Sequence, residues 1–199
     1  MTARMPGGRP LIGAHVRLDP AFHDDAEGLF AALDHDEVWA AGYNGGPAAR
    51  PTTPDGWRDR MDAAVADQRA MYIVRLLDSG WIVGTTSLGD SDLGHERTHI
   101  GWTAYTPEVW STKVNPECKL LLMTHAFEDC GFGRVKIQTD LINARSQAAI
   151  AKLGATREGV LRRHMVRADG TRRDTVVFSV ILDEWPAVKA GLEARLVGG

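Results

Sequence analysis

The chain has few cysteines, and this shortage limits where it can work. Only Cys118 and Cys130 occur among its 199 residues. Both lie in one apolar segment with a helical pattern, and at their spacing on a straight helix they are too far apart to form a disulfide. We interpret them as small buried apolar residues. A chain without a disulfide framework suits a reducing compartment, so we expect a cytoplasmic protein.

Long apolar runs and an excess of one charge are also missing. No stretch of eighteen apolar residues occurs, so neither a membrane span nor a membrane partner is expected. Residues 1–10 have no apolar segment of the secretory type and are predicted to be a flexible start. The net charge of −3 argues against a nucleic-acid partner. Neither cysteine has a partner at a spacing typical of metal ligands, and no metal is expected.

The first part of the chain predicts a strand followed by two helices. Residues 11–18 have the composition of a short strand. Asp19 is placed to cap a helix, with Pro20 at its first position. Apolar residues then recur at helical spacing on both sides of a segment at 43–54, which is rich in glycine, proline, asparagine and threonine and predicts a loop.

The rest of the chain alternates between strand and helix patterns. Two turn signals, Asp78-Ser79-Gly80 and Ala168-Asp169-Gly170, join pairs of predicted strands. With no internal repeat or linker, we predict a single α+β domain over residues 11–197, built on a mixed sheet. The predicted strands are 71–77, 81–88, 98–105, 134–140, 157–167 and 173–182, and the predicted helices are 116–130, 143–153 and 184–196.

Four short stretches follow one another in a recognisable order. They are Ile100-Gly101-Trp102 with Pro107 and Trp110, then Phe127 with Gly131 and Arg134-Val135, then Asn143 with Ser146, and finally Lys152-Leu153-Gly154 with Glu158-Gly159 and Arg162. This order resembles the RimJ/RimL-like branch of the GNAT superfamily of N-acyltransferases. The resemblance implies the GNAT fold, a central mixed and mostly antiparallel sheet with splayed strands, flanked by helices.

The resemblance also implies a binding site for acetyl-CoA or another acyl-CoA. Its pantetheine arm would lie in a V-shaped gap between the strands 98–105 and 134–140. Splayed strands leave backbone groups unpaired, and the two amides of pantetheine can pair with them as an added strand does. Six residues after the first of these strands are predicted to bind the pyrophosphate: Trp110, Ser111, Thr112, Lys113, Val114 and Asn115.

This loop departs from the family pattern, because Lys113 and Asn115 stand where glycine or another small residue is expected. Either CoA binding is lost or altered, or side chains compensate for the missing glycines. We favour compensation. Asn115 and Pro116 suit the cap and the first position of a helix, whose free amides attract anions, and Lys113 adds a positive charge.

Asn143 and Ser146 open the following helix, where an asparagine cap needs no further function. The resemblance adds that Asn143 contacts the pantetheine and that Ser146 lies near the sulfur. A hydroxyl there can protonate the leaving thiolate, which makes Ser146 a candidate general acid.

The acceptor amine must lose a proton, so a base is required. Relatives place a carboxylate just before the Ile-Gly pair, where this sequence has His99, and histidine can act as a base at neutral pH. A partly exposed histidine without a catalytic role is the alternative, and Glu108 and Asp140 are weaker candidates. Four residues are predicted to face the acceptor, although core packing is an equal alternative for the two aromatic ones: Trp39, Tyr43, His164 and Asp174.

Several functions fit these observations. The acceptor amine can be a peptide or protein N-terminus or a small molecule, and the resemblance also allows a homodimer. Succinyl-CoA is an alternative donor, because an arginine cluster near the last hairpin could receive its carboxylate. A CoA-binding module with altered catalysis is a further alternative, given the missing glycines. The cluster consists of Arg162, Arg163, Arg167, Arg172 and Arg173.

Overall fold

The structure is a computed structural model that describes residues 3–40 and 42–198. Residues 1 and 2, part of the predicted flexible start, lie outside the described residues. The strands are β1 (Leu11–Ile12), β2 (Val16–Pro20), β3 (Ala70–Leu76), β4 (Ile82–Asp92), β5 (Arg97–Tyr105), β6 (Arg134–Asp140), β7 (Thr156–Val166) and β8 (Arg172–Ile181). The helices are α1 (Ala26–Leu33), α2 (Asp36–Ala40), α3 (Asp55–Ala66), α4 (Val114–Thr124), α5 (Ala144–Ala151) and α6 (Trp185–Val197).

The strands form one sheet in the order β1-β2-β3-β4-β5-β6-β8-β7. Neighbours are antiparallel except β5 and β6, which run parallel. These two strands pair from Arg97 with Arg134 to Ile100 with Ile137 and diverge after that point. The predicted α+β architecture, with a mixed and mostly antiparallel sheet and splayed strands, is confirmed.

Helices cover both faces of the sheet, and alternation along the strands explains why. On β3, Tyr72 and Val74 belong to a core cluster shared with α4 and α6. Met71 and Ile73 belong to a second cluster shared with α1 and α3. Successive side chains of a strand point to opposite faces, so the buried residues 71–74 of β3 supply both cores and are all apolar.

The strand predicted over residues 11–18 is interrupted by a tight turn between β1 and β2. The carboxylate of Glu117, in the first turn of α4, accepts hydrogen bonds from the backbone amides of Ala14, His15 and Val16 at 2.7, 2.8 and 2.8 Å. A Cβ added at Gly13 would lie 2.5 Å from the Glu117 side chain, so only glycine fits there. This contact ties the hairpin to the start of α4.

The predicted helix start at Asp19 and Pro20 is wrong, since both residues belong to β2. The amide of Ala21 donates to the carbonyl of Met71 in β3, so the nitrogen of Pro20 faces the opposite edge. The two-residue β1 leaves that edge open, and proline is tolerated because no hydrogen bond is needed there. The helix begins only at Ala26, after a short 3-10 turn.

The start of α4 also differs from the prediction. The helix begins at Val114, with Lys113 as its N-terminal flanking residue, so Asn115 is not the cap. Pro116 lies in the first turn, where amide groups have no partner within the helix and proline costs little. Both cysteines are buried and free, as expected. The short helix α2 was not predicted. In the described part of the chain, no helix is long and apolar enough to cross a membrane.

Residues 3–10, predicted to be flexible, make defined contacts in the structure. Ala3 is buried in the main core. The amide of Arg4 donates to the carbonyl of Cys130 at 2.9 Å, and the hydroxyl of Tyr72 donates to the carbonyl of Gly7 at 3.1 Å. The N-terminal segment therefore packs against the domain from Ala3 onward.

Candidate active site

The divergence of β5 and β6 opens a cavity of about 610 Å³. Its walls are the separated halves of the two strands, the beginnings of α4 and α5, residues 42–45 and the tip of the β7–β8 hairpin. The predicted gap is present, and an extended ligand can pair with the strand edges along it.

A bulge in β5 shapes this cavity at the point where the strands separate. Trp102 has a φ of +50°, and the pairing of β5 with β4 shifts by one residue there. Three contacts hold the bulge. The Arg69 guanidinium lies 4.5 Å from the centre of the Trp102 ring, and the centre of the His99 ring lies 5.0 Å from it. The Tyr43 hydroxyl donates to the Trp102 carbonyl at 3.4 Å.

His99 lines the cavity next to this bulge and is buried. Its Nδ1 lies 3.0 Å from the Asp90 carboxylate, whose pKa falls to about 2 chiefly because His99 hydrogen-bonds to it. An ionised carboxylate only accepts, so Nδ1 carries the proton and Nε2 has the lone pair. Nε2 is buried without a hydrogen-bond partner among the described residues. Burial lowers the pKa of His99, so this lone pair is available at neutral pH.

A lysine forms part of the cavity wall from the side of α4. Lys119 is 5% exposed, and its Nζ donates to the hydroxyl of Thr103, on the separated half of β5, at 2.9 Å. Burial lowers the pKa of this ammonium to about 8, so it stays mostly charged at pH 7. Lys119 therefore brings a positive charge to the gap, at a position for which the sequence predicted a helix and no function.

The predicted pyrophosphate loop is divided between two cavities. Four of its residues line the main cavity, while Lys113 and Val114 line a smaller one beside the β1–β2 hairpin. Lys113 has a φ of −69°, so its backbone does not require glycine, whereas Ser111 has a φ of +64°. The four residues in the main cavity are Trp110, Ser111, Thr112 and Asn115.

A stacked pair closes the mouth of the gap. The Arg145 guanidinium, on the first turn of α5, lies 3.6 Å from the centre of the Trp110 ring. The Trp110 indole nitrogen donates to the carbonyl of Tyr105 at 2.9 Å, which fixes the ring. Burial lowers the pKa of Arg145, although a guanidinium keeps its charge in proteins.

Asn143 and Ser146 both line the cavity at the start of α5. The side-chain oxygen of Asn143 accepts a hydrogen bond from the backbone amide of Ser146 at 2.9 Å, which confirms the cap. The cap uses the amide of Ser146 and not its hydroxyl, so the hydroxyl is not needed to begin the helix.

The four residues predicted to face the acceptor have different positions. Tyr43 lines the cavity. Trp39 is buried in the α1–α3 core, where its indole nitrogen donates to the carbonyl of Leu33. His164 is exposed and lies 3.1 Å from the Thr175 hydroxyl. The Asp174 carboxylate accepts a hydrogen bond from the backbone amide of Arg163. Trp39, His164 and Asp174 are not among the described residues that line the cavity, and a role of these three toward the acceptor stays a prediction.

The two weaker base candidates are also engaged elsewhere. Glu108 is exposed and hydrogen-bonds to the Thr106 hydroxyl, which lowers its pKa. Asp140 is buried and accepts two hydrogen bonds from Arg167. His99 is thus the candidate whose proton-accepting atom is not already used.

Comparisons with known proteins agree with this geometry. The acetyltransferase (GNAT) domain family matches residues 15–156. The chain belongs to the GNAT acetyltransferase family. It is 26% identical over 159 residues to the uncharacterized N-acetyltransferase YoaA of Bacillus subtilis, covering 79% of this chain and 88% of that protein.

Two solved structures place the GNAT fold along nearly the whole chain. A GCN5-related N-acetyltransferase from Brucella melitensis is 27% identical, with a TM-score of 0.90 over 98% of this chain and 89% of the other. Mycobacterium smegmatis RimJ, solved in complex with CoA-disulfide, is 19% identical, with a TM-score of 0.76 over 93% of this chain and 92% of the other. The second likeness shows the fold alone.

Three residues of this GNAT domain were missed by sequence reasoning. Asp90 follows a strand pattern in β4 and meets His99 only through the β4–β5 pairing. Lys119 is hidden among the apolar residues of a helix. Arg145 lies between the two motif residues of α5, and its contact with Trp110 spans the gap. Of the three, only Lys119 could have been found from the sequence, because it lies in an apolar helical run and lysine is rarely buried without a function or a partner.

Proposed function

We propose that this GNAT protein transfers an acetyl group from acetyl-CoA to a primary amine, with His99 as the general base. The observation that carries the proposal is the buried His99, which pairs through Nδ1 with the exposed carboxylate of Asp90 and whose Nε2 lone pair has no partner among the described residues. A Cβ added at Gly101 would lie 2.7 Å from Nε2, so this atom sits over the β5 backbone where the gap opens.

The donor would lie in the gap between β5 and β6, and several features fit it. The separated strand edges suit the amides of pantetheine. The amino end of α4 and the Arg145 guanidinium offer backbone amides and positive charge to the phosphates. RimJ of Mycobacterium smegmatis, which has the same fold, was solved with a CoA derivative, which supports this placement.

The reaction would be a direct attack of the amine on the thioester. The nitrogen forms a bond to the carbonyl carbon as the bond from that carbon to sulfur breaks. His99 Nε2 takes the proton that the nitrogen loses, directly or through one water, and Asp90 stabilises the resulting imidazolium. The departing thiolate takes a proton from solvent or from the Ser146 hydroxyl, which then regains a proton from solvent. The products are an amide and free CoA.

Lys119 would assist this step electrostatically. Its ammonium is buried beside the separated half of β5, where the thioester carbonyl would lie. Negative charge grows on the carbonyl oxygen as the amine attacks, and a positive charge already in place stabilises it with little reorganisation.

The test is calorimetric titration with acetyl-CoA and succinyl-CoA, followed by an amine screen read by the release of free thiol. We expect acetyl-CoA to bind and at least one class of amine to release CoA thiol above the hydrolysis background. Binding of acetyl-CoA without thiol release from any amine would refute the proposed transferase and leave a CoA-binding module. Turnover with succinyl-CoA alone would refute acetyl as the transferred group.

A further inference from the structure

An ionic cluster of Asp140, Arg167 and Arg173 lies on the cavity wall, and the inference drawn from it rests on the proposed function. The Asp140 side chain is 3% exposed at the end of β6. Arg167 donates to both of its carboxylate oxygens, from Nε at 2.7 Å and from Nη2 at 2.9 Å. The Nε of Arg173 is 4.0 Å from the same carboxylate, beyond hydrogen-bond reach. The Asp140 carboxylate therefore forms hydrogen bonds with Arg167 but not with Arg173.

Arg173 is the member of the cluster that lacks a hydrogen-bonded anion. Its side chain is 14% exposed, and its Nε is buried without a hydrogen-bond partner among the described residues. Burial lowers its pKa, but a guanidinium remains protonated in proteins. Within the cluster, two guanidiniums and one carboxylate leave one positive charge in excess, and the further carboxylates of Asp169 and Asp174 act on Arg167. A buried charge in this condition is costly unless a ligand supplies the missing partner.

The cluster and the proposed base line the same cavity, and a series of contacts connects them. The rings of His99 and Trp102 are 5.0 Å apart, and the hydroxyl of Tyr43 donates to the Trp102 carbonyl. Tyr43 begins the short turn that ends at Gly45, where an added Cβ would lie 3.6 Å from the Cα of Arg167. An acceptor long enough to span this cavity can therefore reach both His99 and the arginine pair.

The charges of the whole cavity disfavour a polycationic acceptor. Asp140 is the one carboxylate among the described residues that line it. A polyamine would meet repulsion in this field, whereas an amine with an anionic group would be attracted. The cationic side chains that line the cavity are Lys119, Arg145, Lys152, Arg167, Arg173 and Arg195.

We infer that the acceptor is a primary amine that also carries a carboxylate, and that Arg173 binds this carboxylate. Charge-assisted hydrogen bonds from a guanidinium fork suit this group. Gln138, two residues before Asp140 on β6, lines the same cavity, and its Oε1 is also buried without a partner among the residues described. It offers a hydrogen-bond acceptor for an N–H of the same ligand.

Three kinds of molecule bring a carboxylate to this position, and matched pairs of compounds distinguish them. The first pair is a free amino acid and its carboxamide. The second is a peptide with an acidic first residue and the same peptide with the corresponding amide residue, both amidated at the C-terminus. The third compares succinyl-CoA with acetyl-CoA on an uncharged amine. Each is followed by the release of free thiol.

We expect kcat/KM to be about 10- to 100-fold higher for the acid than for the amide in one of the two acceptor pairs, the scale of a charged hydrogen bond. Arg173→Gln should remove this ratio, and Arg173→Lys, which keeps the charge but loses the fork, should retain part of it. Arg172→Gln is the matched control, because Arg172 is exposed on the same strand and should leave the ratio unchanged.

Equal rates within both acceptor pairs would overturn the inference while leaving acetyl transfer intact. A preference confined to succinyl-CoA would also overturn it, since the carboxylate would then belong to the donor. If no amine releases thiol, the proposed function fails and calorimetry on the CoA-loaded protein decides instead. Tighter binding of the acid than of its amide, lost in Arg173→Gln, would support the inference, and equal binding would refute it.

Discussion

Replacing His99 with glutamine tests the proposed base directly. Glutamine keeps a polar side chain that can still donate to Asp90, but it cannot take up a proton near neutral pH. The loss of general base catalysis should lower kcat by about 10²- to 10⁴-fold. This corresponds to about 2.7–5.4 kcal/mol of activation free energy, at 1.36 kcal/mol per factor of ten.

The pH dependence gives the sharper measurement. Histidine is active as a base only when neutral, so the rate rises with pH as the proton leaves His99. Burial lowers its pKa below the ordinary value of 6.5, so the midpoint of this rise should lie below pH 6.5, with a plateau at neutral pH. In His99→Gln the rise should disappear, while the affinity for acetyl-CoA is retained.

The assay is thiol release at saturating acceptor, because kcat reports the ionisations of the enzyme–substrate complex. His95→Gln is the matched control. His95 also pairs with a carboxylate through Nδ1, at 2.9 Å from Asp92, but its side chain is 76% exposed and lies outside the cavity lining. A His99→Gln variant with the wild-type rise and plateau would refute the reasoning and assign the proton to water or to another group.

Three further substitutions separate chemistry from stability. Lys119→Met should lower kcat while leaving thermal stability unchanged or higher, because an apolar side chain of similar volume avoids burying a charge; an unchanged kcat would contradict its electrostatic role. Ser146→Ala should lower kcat and kcat/KM together if the hydroxyl protonates the thiolate. The melting temperature should stay the same, because the Asn143 cap uses the backbone amide of Ser146. A fall in stability at constant kcat would assign the hydroxyl a structural role. Glu117→Gln should cost about 1–3 kcal/mol in urea unfolding, since one amide oxygen replaces a carboxylate that accepts three backbone donors; unchanged stability would show that the hairpin holds without it.

The strands and long helices after residue 55 were predictable because each follows its own periodicity. Apolar and polar positions alternate along β6, and an asparagine caps α5. Both are local features that can be read from the sequence alone. The N-terminal hairpin was not predictable in this way. Its turn is held by Glu117, about a hundred residues away in the chain. Proline at the end of a strand, where the neighbouring strand does not reach, looks the same in sequence as proline at the start of a helix.

Sequence by itself determined the family and most of the elements after residue 55. His99, Asn143 and Ser146, which it proposed as site residues, line one cavity, and their roles stay predictions. Only the tertiary structure decided which side chains are charged, paired or buried there. Strand pairing gave His99 its carboxylate partner, and helix packing placed the ammonium of Lys119 at the gap. Register placed Arg173, and not the neighbouring Asp174, on the cavity wall. These properties depend on groups far apart in the chain, and a local pattern carries no information about such distances.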